Sequence, residues 1–546
     1  MEQLSLLSRP PISSGILDTG AHMSSSETNR TRYPSYHHTR PSISAFLAFL
    51  AVLMSSSGCG NDDRSTVSAP TFNRTNCWES VLAADRTATC GFVGVPEDRR
   101  NPRGRQIQIA VARLHARNPG DHAPLIFLEG GPGVSSLQLR PGGLADVFLD
   151  RQDLILFDQR GVGFSVPALN CPEREEALWA IFNHTGDLGA EVDAMNAASL
   201  ACIARFRADG VQLEKYDTIE NARDVADIRK ALEIPEWDIY GASYGTTLAL
   251  EVMRSHPQGV RSAVLDATSP PNRGVTVDRV AESGARAFSV LAAGCDHDPA
   301  CANLVGGDLQ SLLETVRDQL DAHPMPLVVT DAQTGGKRPV LIDGSDLVAG
   351  LFNALYSTSL IPVIPSLLVQ ISQRNRAVVQ AAAETGINDR IIFYDATFLA
   401  VECRDRGRFW PPNEVSTFLD EHPDMVSLYN FFAIPACADL DLGFVDSSFN
   451  DPITSDIPTL IFGGEYDPIT PPEWGAETAE QLSNATFFLL PGVGHGAVPA
   501  HPCPEQIMRD FLADPTSPPI GACIDDMGEF VLQQPLKNRT ALQMVL

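Results

Sequence analysis

Positive charge is what this chain has least of for its length. Lys and Arg number 40 against 68 Asp and Glu, a formal net charge of −28 over 546 residues, and no basic run or RNA-binding signature occurs. Holding a polyanion requires clustered Lys and Arg to neutralise phosphates, so nucleic acid is excluded as a partner. An acidic surface serves solubility and favours a cationic substrate group. Also lacking are a C-x2-C pair and an H-E-x-x-H helix, which excludes the common zinc frameworks. The apolar run near the N-terminus, ISAFLAFLAVLM at 43–54, has twelve residues, whereas a membrane span takes about 20. There is no internal repeat. With 44% hydrophobic and 20% charged residues the composition is that of a folded globular protein, which rules out a disordered chain.

What is present begins with an export leader. Arg30, Arg32 and Arg40 precede the apolar run, and the small-residue stretch SSSGC follows it and ends at Cys59, the order of a secretory signal. Met23 stands at a more usual distance from this run than Met1. Glycine then cysteine after a hydrophobic run resembles a bacterial lipoprotein box, with membrane attachment through a lipid on Cys59. Ser56 stands where leucine is usual, so cleavage and plain secretion is the alternative. Both place the chain outside the cytoplasm. Eleven cysteines less Cys59 leave ten, an even number that suits disulfides in an exported chain. Pairing neighbours in sequence, the simplest connectivity, gives Cys77–Cys90, Cys171–Cys202, Cys295–Cys301, Cys403–Cys437 and Cys503–Cys523; buried free thiols are the alternative.

After the leader (1–58) and a polar linker (59–76), strands and helices alternate through 77–271 as in an α/β sheet. QIQIAVARLHA at 106–116 alternates like a strand, and the apolar runs APLIFLEGGPG at 123–133 and DLILFDQRGVG at 153–163 each end in a glycine-rich loop. TIENARDVADIRKALE at 218–233 has a helical apolar face with Thr218 as its N-cap. From 272 to 451 the pattern turns mostly helical with proline-rich breaks such as HPMP and WPP, an insertion long enough to be a lid rather than a loop. Strand-like pieces return at 457–468 and 485–496, inside a second core part at 452–546.

Ser243 sits between the strand ending at Tyr240 and the helix starting near Thr246, in GASYG. Gly241 and Gly245 remove the Cβ atoms that would collide in so sharp a turn, the shape of a nucleophile elbow. By chance a G-x-S-x-G pattern arises roughly 0.2 times in a chain this long, so the weight falls on its context. Serine needs an imidazole to take its proton, and the imidazole needs a carboxylate to fix its tautomer. His495 in PGVGHG and Asp467 in GGEYDP end the last two strands, giving the order Ser, Asp, His. Glu465 and Asp266 are the other acids that could serve. EGGPG at 129–133 offers an oxyanion hole, with the N–H groups of Tyr244 and Gly131 as donors because Pro132 has none. The chemistry needs no cofactor.

GGPG at 130–133, DQRGVGFS at 158–165, GASYG at 241–245, EYDPITPP at 465–472 and GVGHG at 492–496 resemble the proline iminopeptidase and tripeptidyl aminopeptidase branch of the α/β-hydrolases, the S33 serine peptidases. The resemblance runs from Cys77 to Cys523 and is weakest in the lid. It implies a mostly parallel, doubly wound sheet with a large inserted helical lid, and an exopeptidase that acts on the free N-terminus of a peptide substrate. Glu129 departs from the family, which often has histidine before GGPG. Binding an α-ammonium calls for carboxylates in the cavity, and Glu402 and Asp405 in AVECRDRG are the candidates, with solvated surface acids as the plain alternative. Phe398, Phe409 and Trp410 read as lid core or pocket lining. A carboxylesterase with the same triad is the second reading, and a non-catalytic surface protein the third.

Overall fold

The computed structural model describes residues 70–528 and 532, apart from 83–86, 121, 139–144, 146, 184–187, 274–276, 390–392 and 410–436. The leader, Cys59 and Trp410 lie outside the described residues.

Eleven strands occur among these residues: β1 (Phe72–Thr75), β2 (Ala88–Pro96), β3 (Gln106–Leu114), β4 (Leu125–Leu128), β5 (Leu154–Phe157), β6 (Trp237–Ala242), β7 (Val260–Asp266), β8 (Met325–Thr330), β9 (Lys337–Ile342), β10 (Thr459–Gly464) and β11 (Ala485–Leu490). Nine of them form one sheet in the order β1–β2–β3–β5–β4–β6–β7–β10–β11. The first strands pair antiparallel, and β5 through β11 of that order run parallel. LIFL in β4 and LILF in β5 have no polar side chain, and all are buried. Such strands are stable only when helices cover both faces of the sheet. Alternation then deals the residues to two cores. Leu125, Phe127, Leu154, Leu156 and Tyr240 pack on one face with Ile507 and Phe511 of helix Pro502–Ala513. Ile126, Leu128, Ile155, Phe157 and Ile239 pack on the other with Val225 and Leu248 of helices Thr218–Ala231 and Tyr244–Ser255.

The chain enters the parallel part of the sheet at β4, goes to one side for β5, then returns past β4 for β6. Their carboxyl ends diverge at this point and open the crevice where doubly wound sheets carry their sites.

The lid has two parts. One follows β5 as helices Pro172–Ile181 and Leu188–Ala208; the larger lies between β7 and β10. The larger part is not wholly helical: β8 and β9 form an antiparallel hairpin of their own. Two local expectations are corrected. The linker expected over 59–76 contains β1, which pairs with β2 at the edge of the sheet. Helix Thr218–Ala231 is capped by Asp217, whose carboxylate accepts the Glu220 N–H at 2.8 Å, because the aspartate one residue earlier already has the extended backbone a cap requires.

All ten described cysteines are bridged, in the neighbour-to-neighbour pairing read from the sequence. No helix among the described residues is long and apolar enough to cross a membrane.

Candidate active site

The turn between β6 and helix Tyr244–Ser255 holds Ser243 at φ 55° and ψ −127°, a region that a side-chain-bearing residue occupies only under strain. Close packing over-determines it. A Cβ on Gly245 would lie 1.9 Å from the Leu128 carbonyl oxygen, and one on Gly241 would lie 2.5 Å from the Gly245 carbonyl oxygen. The Ser243 N–H donates to the Asp266 carbonyl at 2.9 Å, and the Ser243 carbonyl accepts the Thr246 N–H at 2.8 Å. The hydroxyl is thereby aimed into a cleft of about 810 Å³ whose walls include Ser243, Gly130, Gly131 and His495.

His495 stands on the loop after β11. Its Nδ1 is 2.8 Å from Asp467 Oδ2, and Asp467, on the turn after β10, is fully buried. That carboxylate is held in place by the N–H groups of Ile469 (3.0 Å) and Thr470 (2.9 Å) and by the Thr470 hydroxyl (2.7 Å). Burial pulls the imidazole pKa down, but the adjoining Asp467 charge and hydrogen bond outweigh it, so His495 lies above its ordinary value. The Tyr356 ring lies 4.7 Å from the imidazole, centroid to centroid. The Tyr356 carbonyl, at the end of lid helix Gly344–Tyr356, accepts the His495 N–H at 2.9 Å.

The two other acids left open by the sequence have different tasks. Asp266 accepts the N–H groups of Ala497 (2.8 Å) and Val498 (3.0 Å) and the Tyr240 hydroxyl (2.8 Å). Glu465 accepts the Gly492 N–H at 2.9 Å. Both brace the histidine loop from below and leave the ring to Asp467.

Gly131, at φ 106°, lines the cleft beside the serine, and Tyr244 is the first residue of its helix, where an N–H has no acceptor within the helix. The approach is tight: a Cβ on Gly130 would lie 2.9 Å from the Ser243 Cβ. The DQRG motif supports this loop from behind. Asp158 accepts the Ser135 hydroxyl (2.7 Å) and the N–H groups of Leu137 (3.1 Å) and Phe164 (2.7 Å). Gln159 donates to the Glu129 carbonyl at 3.0 Å, and Arg160 pairs with Asp224 at 2.8 Å. Burial raises Asp158 to about 6. Glu129 itself faces the cleft and accepts the Gly130 N–H at 2.9 Å; burial pushes its carboxyl up to about 7.

Glu402 and Asp405, expected in the cleft, are not there. Both are buried on helix Asp395–Arg406. Asp405 accepts the Thr218 N–H at 3.2 Å, and Glu402 pairs at 3.4 Å with Arg406, which donates onward to the hydroxyls of Thr247 and Ser269. Ten of that helix's twelve residues are buried, so these acids fasten the lid to the core, Glu402 through Arg406 to the elbow helix and Asp405 to helix Thr218–Ala231, instead of facing substrate. The carboxyl groups that do line the cleft are Glu129, Glu175 and Asp395, with Arg174 as the cationic neighbour. Arg174 lies 3.0 Å from Asp395. Burial raises the carboxyl pKa of both Glu175 and Asp395. Phe398 lines the cleft as well, while Phe409 does not. Sequence reasoning missed Thr470 and Tyr356; D-P-I-T, with a hydroxyl three residues after the acid, was the available signal for Thr470.

This fold, with an elbow serine and an acid-backed histidine at one crevice, defines a class: the chain has the α/β-hydrolase fold. Residues 123–304 match the family described as alpha/beta hydrolase fold, and residues 428–523 match the family described as TAP-like protein. Within that class it is similar to serine protease Hip1 of Mycobacterium tuberculosis, 27% identical over 475 residues, covering 80% of this chain and 87% of the relative. It is also similar to tripeptidyl aminopeptidase of Streptomyces lividans, 27% identical over 474 residues, covering 80% and 84%. Carboxylesterase B of M. tuberculosis is 27% identical over 498 residues, covering 85% and 91%. Among solved structures, proline iminopeptidase of Mycobacterium smegmatis overlaps 78% of this chain and 98% of its own at 16% identity, with a TM-score of 0.38.

Proposed function

We propose that the chain is an exported serine aminopeptidase. It removes residues from the free N-terminus of peptides through an acyl-enzyme on Ser243, with His495 as the base, Asp467 as its orienting acid, and the N–H groups of Gly131 and Tyr244 as the oxyanion hole. The 2.8 Å Asp467–His495 contact, facing a strained serine across one cleft, carries the reading. As the serine attacks, its proton passes to His495 Nε2, and Asp467 stabilises the imidazolium. The negative charge that develops on the former carbonyl oxygen is met by the two N–H donors. His495 then protonates the leaving amine, and a water attacks the ester by the same route.

Three carboxyl groups against one guanidinium in the cleft favour a substrate that brings a positive charge, as a peptide's terminal ammonium does. The relatives named serine protease and tripeptidyl aminopeptidase support a peptide substrate. Five disulfides support an oxidising compartment, reached by secretion or by lipid attachment at Cys59. A relative named carboxylesterase B favours ester hydrolysis as the second reading. Comparing turnover of peptides with free and acetylated N-termini against p-nitrophenyl esters decides between them. A preference for the free amine is expected, and indifference to acetylation would remove the exopeptidase reading. Labelling by a fluorophosphonate should disappear in Ser243→Ala.

A further inference from the structure

A second cavity, of about 150 Å³, lies within the lid, walled by Leu347, Leu351, Ile364, Leu367 and Val379. Asn353 belongs both to this wall and to that of the catalytic cleft. Two more wall residues are glycines inside helices: Gly350 in Gly344–Tyr356 and Gly386 in Arg376–Asp389. Glycine in such positions lowers helix stability relative to alanine. Most glycines elsewhere among the described residues are explained by crowding or by positive φ. Here neither applies: a Cβ at 350 or at 386 would meet no atom within 4 Å. What the two positions share is the wall of this chamber.

We propose that this chamber binds an aliphatic segment of the substrate, about six carbons long, that continues from the scissile group at Ser243 past Asn353 into the lid. An apolar pocket of this size takes a small hydrocarbon group. The end of the chain must be uncharged. The single ionisable wall residue, Asp346, is engaged in the capping box of its helix, accepting the Asp343 N–H at 3.3 Å. The substrate half of the inference rests on Ser243 being the nucleophile; the existence of an apolar binding chamber does not.

Two measurements on the full chain separate these. The first is kcat/KM for p-nitrophenyl acetate through decanoate, with a parallel arm of peptides carrying norleucine or alanine at the residue before the scissile bond. Each methylene buried is worth about fourfold, so hexanoate should exceed acetate by at least about tenfold, with no further gain beyond it. The ester and peptide arms show which source of the aliphatic group is used. Gly386→Leu should collapse the hexanoate-to-acetate ratio. A flat chain-length series in the parent chain, or a ratio unmoved by the substitution, overturns the proposal. The second measurement needs no catalysis: benzene should raise the Tm of Ser243→Ala protein and leave that of Ser243→Ala with Gly386→Leu unmoved. Absence of the shift in the single variant overturns the chamber even if Ser243 is the nucleophile. Should Gly386→Leu fail to fold, Gly386→Ala, whose added methyl would meet no atom within 4 Å, should lower the ratio. An unmoved ratio in that variant overturns the proposal.

Discussion

Replacing Asp467 with asparagine tests the site at its most specific contact. The carboxylate accepts four hydrogen bonds: from the Ile469 and Thr470 N–H groups on Oδ1, and from the Thr470 hydroxyl and His495 Nδ1 on Oδ2. Asparagine can keep Oδ1 as its carbonyl, so both backbone bonds persist and the turn stays folded. The amide nitrogen then takes the place of Oδ2. It can only donate, so it presents its hydrogen to His495 Nδ1 and moves the ring proton to Nε2. An imidazole in that tautomer cannot accept the serine proton, and loss of the negative charge withdraws support from the imidazolium. The same change of tautomer in an acid-histidine-serine triad lowers kcat about 10⁴-fold, which corresponds to about 5.5 kcal/mol of transition-state stabilisation. We expect that loss in kcat with Tm nearly unchanged. The pH profile gives a second readout. Activity needs neutral imidazole, so the acid limb of kcat/KM in the parent enzyme lies above the ordinary histidine value because Asp467 raises it. Without that charge, burial dominates and the limb moves to lower pH. A drop of less than about tenfold, or an acid limb that stays put, would refute the assignment.

Gly245→Ala should yield no folded protein, because its Cβ would sit 1.9 Å from the Leu128 backbone oxygen; soluble, active enzyme would contradict the packing described. The half-buried Glu129 carboxyl keeps its proton to about pH 7, while in the unfolded chain it ionises near 4.5. The folded state therefore holds one more proton between those values, and stability falls by up to about 3 kcal/mol as pH rises across them. Thermal melts of Glu129→Gln at pH 4.5 and 7.5 should lack this component of the slope. Removing the Cys171–Cys202 bridge, with a sequence separation of 31, should cost about 4 kcal/mol, against about 2 kcal/mol for Cys295–Cys301, with a separation of 6. Denaturant titrations of the two paired-alanine variants measure the difference.

The central strands and the elbow were legible because their signals are local. Unbroken apolar runs ending in glycine imply buried parallel strands, and two glycines around a serine imply a turn that nothing else fits. Strand β1 was missed because FNRT has no alternation and joins the sheet by backbone pairing alone. The hairpin was hidden by Pro326 and Pro339, which read as breaks although a two-stranded ribbon tolerates proline on its open edges. Glu402 and Asp405 misled for the opposite reason. Their proximity in sequence suggested a paired receptor, but Glu402 is taken up by Arg406 one turn on, itself bound to the distant Thr247 and Ser269, and Asp405 by the distant Thr218. Among Asp467, Glu465 and Asp266 the sequence favoured Asp467, which follows the strand TLIFGGEYD, and its Oδ2 lies 2.8 Å from His495 Nδ1.

The loop bearing His495 is fastened to the roof of the cleft as firmly as to its floor. The Tyr356 carbonyl holds the His495 amide, Thr358 Oγ1 accepts the Gly494 N–H at 3.1 Å, and a Cβ at 494 would come within 2.4 Å of the Leu355 carbonyl oxygen. Lid and histidine loop thus form one inheritable module. An engineer who transplants a foreign lid onto this sheet to change specificity will misplace the base unless residues 492–496 travel with it.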